Sequence, residues 1–165
     1  MLAYVFAHWP GDAAHTADYE RQLLEFHQAL ARGGSEGFVK SVVFRVEVGY
    51  EDWYLVEGSF ALDPLNEAAV SLRLRRAHDA VAHAAGGGLG SLFRLHAGVP
   101  GWDSGTVAWL SKPRGETYAD FYARFAPETV IWRRQLVLGG PTEFLIEGDP
   151  PDGLTAQRVR RELLF

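Results

Sequence analysis

The chain has 165 residues, of which 47% are hydrophobic, 22% charged and 13% aromatic, the balance of one soluble globular unit rather than of a disordered or fibrous chain. It contains no cysteine, which excludes disulfides, thiolate metal sites, Fe–S clusters and thiol nucleophiles, and favours a cytoplasmic setting. A net charge of -5 argues against a nucleic-acid partner, because phosphate binding needs clustered Lys and Arg.

In chain order, Ala3–Trp9 is β-prone and ends at Pro10-Gly11. It lacks a basic leader and reads as a first strand rather than a signal segment. Tyr19, Leu23, Phe26 and Leu30 recur at helical spacing before Gly33-Gly34. Val39–Val48 is rich in β-branched residues, Gly49–Asp52 reads as a turn, and Trp53–Phe60 as the returning strand. Asp63 as N-cap and Pro64 at the first helical position open a long helix to about Ala85, where Gly86-Gly87-Gly88 stops it. Ser91–Ala97 is a further strand. Then come a strand at 106–112, a helix at 117–125 with Thr117 as N-cap, strands at 129–138 and 142–148, and a helix at 154–164. No run of about 18 apolar residues occurs, so no membrane partner is expected.

The chain echoes itself. Val42-Val43-Phe44-Arg45 returns as Val130-Ile131-Trp132-Arg133, and Tyr54-Leu55-Val56-Glu57-Gly58 as Phe144-Leu145-Ile146-Glu147-Gly148. This divides the chain into a first repeat at 1–98, a linker at 99–104 and a second repeat at 105–165. The first reads β-α-β-β-α-β, a ferredoxin-like unit, and the second lacks the last strand. The expected fold class is α+β, with the two units packed sheet to sheet.

In element order, duplication and length the chain resembles the dimeric α/β-barrel superfamily, whose ferredoxin-like units pair in this way. That superfamily includes cofactor-free monooxygenases, haem-binding chlorite dismutase relatives, small-molecule isomerases and stress-response proteins. The resemblance therefore implies an intrachain α/β barrel and leaves the chemistry open.

Residues found in both repeats serve the shared fold, so unpaired residues are better candidates for function. Arg45 with Glu57, and Arg133 with Glu147, occupy matching places and suit cross-strand ion pairs. All six histidines lie in the first repeat. His8 shares a strand face with Tyr4 and Phe6, and is the candidate general base. Arg45 is the second catalytic candidate. Tyr4, Phe6, Trp53, Trp109 and Trp132 are candidates for lining a ligand cavity. His27, on the Leu23/Leu30 side of its helix, reads as a packed core histidine.

His78 and His83 are five residues apart and do not form the i,i+4 zinc pair. Gly86–Gly90 follows a helix and precedes a strand, the reverse of a phosphate loop. No bound metal or cofactor is expected.

These residues suit binding, and cofactor-independent oxidation or rearrangement, of a small aromatic or apolar molecule inside the barrel. The contending reading is a non-catalytic stress or interaction protein with a filled core. A second repeat without its last strand would leave an open edge near Val107, Trp109 and Val130-Ile131, which predicts a homodimer.

Overall fold

A computed structural model describes residues 1–12, 15–71, 73–135 and 142–165. Strand β1 (Leu2–Pro10) leads to helix α1 (Thr16–Gly33) and to the hairpin β2 (Phe38–Val46) and β3 (Gly49–Val56). A 3-10 turn at Ser59–Ala61 enters α2 (Leu62–Ala69), followed by α3 (Arg75–Ala84) and β4 (Ala85–Ala97). The second half holds β5 (Gly105–Leu110), α4 (Tyr118–Tyr122), β6 (Ile131–Arg134), β7 (Phe144–Glu147) and β8 (Ala156–Leu163).

The eight strands close into one antiparallel barrel in the order β1-β3-β2-β8-β5-β7-β6-β4. The order β4-β1-β3-β2 of the first half recurs as β8-β5-β7-β6 in the second. Two seams join the halves, Phe44↔Leu163 with Arg45↔Glu162 between β2 and β8, and Phe93 to Ala97 against Arg134 to Ile131 between β4 and β6.

This corrects the expected α+β fold of two ferredoxin-like repeats stacked sheet to sheet. The strands of both halves hydrogen-bond into one continuous wall around a shared interior. Helical cover is unequal among the described residues, since α1 to α3 lie in the first half and the second has only the five-residue α4, capped by the Thr117 side chain. The second half also possesses its last strand, because the helix expected at 154–164 is β8. Its inward positions are Val159 and the buried Arg161, and an arginine facing inward conceals the period of two.

β8 pairs with β5 from Gly105↔Arg161 to Leu110↔Ala156, while β7 covers the other side of β5. The open edge that predicted a homodimer is therefore filled from within the chain, and that argument for self-association no longer stands.

The helix expected from Asp63 to about Ala85 is two helices, α2 and α3, and Ala61 rather than Asp63 stands at the cap position. The expected cross-strand pairs also differ. The tight β2–β3 turn sets Arg45 opposite Tyr50, at the far end of the hairpin from Glu57. Arg45 instead bonds Glu20 at 2.5 Å and Glu162 at 2.7 Å, and Arg133 approaches Glu143 at 3.6 Å rather than Glu147. The strands expected at 129–138 and 142–148 are observed as β6 and β7, and residues 136–141 lie outside the described ones.

Side chains alternate between two cores. Ala3, Val5, Phe44, Trp53, Phe93 and Trp132 fill the barrel, where the Trp53 and Trp132 rings meet at 5.2 Å. Trp102, from the linker, plugs this interior against both rings. On the outer wall, Leu2, Tyr54 and Val56 pack against Phe26, Leu30 and Leu65 of the helices. The buried stripe of α1 is Tyr19, Leu23, Phe26, His27 and Leu30, the spacing that puts one helix face on the barrel. Among the described residues no helix is long and apolar enough to cross a membrane.

Candidate functional site

The outward side chains of β1 are Tyr4, Phe6 and His8, since Ala3 and Val5 point into the barrel. They form the floor of a cavity of about 800 Å³ between the barrel wall and α1 to α3. Leu30, Leu65, Val81 and Leu92 supply apolar surface, and Tyr19, Asp52 and Tyr54 supply polar atoms.

The glycines of β4 make this floor possible. Gly88 lies opposite His8 and Gly90 opposite Phe6, and the rings of Phe6 and Tyr4 occupy the space where a Cβ of Gly88 and of Gly90 would stand. The Gly86–Gly88 run therefore belongs to a strand, and β4 begins six residues before the expected Ser91. Glycine at these positions lets the β1 aromatics lie across the neighbouring strand, leaving room above them.

Five side chains converge at the cavity wall, four of which, His8, Tyr19, Asp52 and Tyr54, line it, with His27 behind them. His8 Nδ1 is 2.5 Å from the Tyr19 hydroxyl, and His8 Nε2 is 3.1 Å from Asp52 Oδ1. His27 Nε2 is 3.2 Å from Asp52 Oδ2, to which Tyr54 donates at 3.1 Å. His8, His27 and Asp52 are all buried. Neither His8 Nε2 nor Asp52 Oδ1 makes a well-directed hydrogen bond, although the two atoms face each other, and His27 Nδ1 has none either.

Burial by itself raises the Asp52 carboxyl, but His27 and then His8 outweigh it and hold the group down to about 2. Asp52 is thus ionised at neutral pH. Burial, reinforced by the Asp52 charge, pushes the Tyr19 and Tyr54 hydroxyls well above their ordinary range. Both tyrosines stay protonated and act as donors. The two ring nitrogens of His8 thus face different groups, Nδ1 the Tyr19 hydroxyl and Nε2 the Asp52 carboxylate. The result is a Tyr19–His8–Asp52 array able to hold or pass a proton, with Asp52 steadied from behind by His27 and Tyr54.

Of the residues singled out from sequence, Tyr4, Phe6 and His8 line the cavity. Arg45 does not, being tied to Glu20 and Glu162 near the β2–β8 seam. Trp53, Trp109 and Trp132 pack in the barrel interior. Asp52, Tyr19 and Tyr54 also line the cavity, and the sequence reading does not single them out as site residues. The turn expected at Gly49–Asp52 is the start of β3, which begins at Gly49. Carrying the alternation of Trp53–Phe60 back three residues puts Tyr50, Asp52 and Tyr54 on one face. His27, taken as packed, supports Asp52 from the rear.

A second buried charge pair lies inside the barrel. Arg161 Nη1 is 3.7 Å from Glu51 Oε2, the guanidinium sits over the Phe44 ring at 4.1 Å, and the Trp53 indole donates to Glu51 at 3.3 Å. Burial raises the Glu51 carboxyl and lowers Arg161, each shift opposed by the partner.

Among the described residues no three His, Asp or Glu side chains are grouped as a metal site. No protein-family model matches the sequence, and no curated protein matches it significantly. The functional reading therefore rests on the cavity and its side chains.

Proposed function

We propose that the protein binds a small aromatic or apolar molecule in the cavity between the barrel wall and helices α1 to α3, and catalyses cofactor-independent proton transfer on it. The observation that carries this reading is the buried Tyr19–His8–Asp52 array opening on an apolar space of about 800 Å³. That volume suits a small-molecule site, as does the combination of aromatic rings with a few polar groups. The Asp52 carboxylate accepts a proton from an acidic C–H or O–H of the ligand. The carboxylic acid so formed gives the proton back at a second atom, which leaves Asp52 ionised again, while the Tyr19 hydroxyl stays protonated as a donor. A proton removed at one position and replaced at another gives an isomer, with no electron carrier needed. Oxidation would use the same ionisation step with dioxygen as the external electron acceptor.

The test is a thermal-shift screen of planar aromatic compounds, followed by proton NMR of each binder in heavy water. A binder should raise the melting temperature and exchange an activated hydrogen for deuterium, and the exchange should be lost in Asp52→Asn and His8→Gln. If no aromatic compound binds, this reading fails.

One observation favours the non-catalytic alternative: the barrel interior itself is filled, by Trp53, Trp102 and Trp132. The two readings separate on the outer cavity. A binder that resists cavity-filling substitutions, or shows no exchange, favours the alternative.

A further inference from the structure

We infer that the cavity selects an uncharged ligand carrying a hydroxyl or N–H donor, and rejects carboxylates and phosphates. This rests on reading the cavity as a ligand site. Among the described residues that line it there is no lysine or arginine. None of the residues outside the described ones is charged. The charges that the wall does present are carboxylates, Asp52 on the floor and Asp63 at the exposed rim.

Several cations near the wall have partners of their own. His78, the second imidazole of the wall, has Nδ1 3.2 Å from Asp79 Oδ1, and Arg75 also approaches Asp79, at 3.5 Å. Arg73 donates to the Arg32 carbonyl, and Arg45 is held by Glu20 and Glu162. An anionic group entering this space would lose its hydration with no cation to replace it, beside a fixed negative charge. A neutral donor meets the opposite situation. Asp52 Oδ1 is a buried acceptor without a well-directed hydrogen bond, and a ligand O–H or N–H would satisfy it.

The test is calorimetric titration of the full chain near neutral pH with 1-naphthol, 1-naphthoic acid and 1-naphthyl phosphate, which share a ring system and differ in charge. The expected result is binding of 1-naphthol, with both acids at least about a hundredfold weaker. Val70→Arg, at an exposed position of the cavity rim, supplies the missing cation and should strengthen 1-naphthoate binding about tenfold. An acid that binds as tightly as 1-naphthol and is displaced by it overturns the charge selection, while the cavity remains a ligand site. Failure of all three compounds to bind overturns the selection together with the site.

Discussion

His8 Nε2 and Asp52 Oδ1 stand 3.1 Å apart on neighbouring strands, both buried, and neither atom has a well-directed hydrogen bond to any other group. A buried carboxylate persists only when its surroundings hold its charge, and here two imidazoles and the Tyr54 hydroxyl do so. Removing the charge should expose how much of the fold depends on it. Asp52→Asn is expected to lower unfolding stability by about 3 to 5 kcal/mol, the range for breaking one side of a buried pair. Urea denaturation with a common slope for both proteins measures it.

The same carboxylate sets an acid limit. Its value in the folded protein is about 2, below the ordinary 3.8, so the unfolded chain takes up this proton first as the pH falls. The stabilisation is present above about 3.8 and is lost as the pH drops through about 2. Acid titrations of stability should show this fall in the parent protein and a flatter profile in Asp52→Asn.

Gly88 and Phe6 cannot both keep their places if Gly88 gains a Cβ. Gly88→Ala should cost about 1 to 3 kcal/mol as the ring is forced upward into the cavity, weakening aromatic ligands with it. The double variant Gly88→Ala/Phe6→Leu, which shortens the obstructing side chain, should regain stability. Thermal melts of the three proteins decide this.

Inside the barrel, Arg161→Met should destabilise by about 3 to 5 kcal/mol because it leaves Glu51 buried without its cation. The double variant Arg161→Met/Glu51→Leu removes both charges and should recover most of that loss. A double-mutant cycle in urea measures the coupling.

Closure of the barrel has its own signature. The β5 amides alternate between β7 and β8, so hydrogen exchange should be slow along its whole length. A second half without its last strand would leave the amides on one side of β5 exchanging quickly.

Much of the fold's first half was legible because its residues obey their periods. Tyr4, Phe6 and His8 alternate with Ala3 and Val5, and the Tyr19 to Leu30 stripe marks the face of α1. The second half misled where a polar residue faces inward, as Arg161 does on β8. Barrel closure was hidden for another reason: the seams at Phe44↔Leu163 and Leu95↔Trp132 join residues far apart in sequence, and local pattern carries no record of such pairing. Of the site, Tyr4, Phe6 and His8 were readable from alternation. Asp52 was not, because a carboxylate following Gly49-Tyr50-Glu51 has the composition of a turn, and its burial depends on His27 and Tyr19 arriving from a helix.

Nitrogen-15 NMR of the histidine side chains, followed while 1-naphthol is added, reads the Tyr19–His8–Asp52 array itself. The His8 ring resonances should shift on saturation, while those of the exposed His15 and His83 stay unchanged. A ligand that binds without moving the His8 resonances would contradict binding at the array.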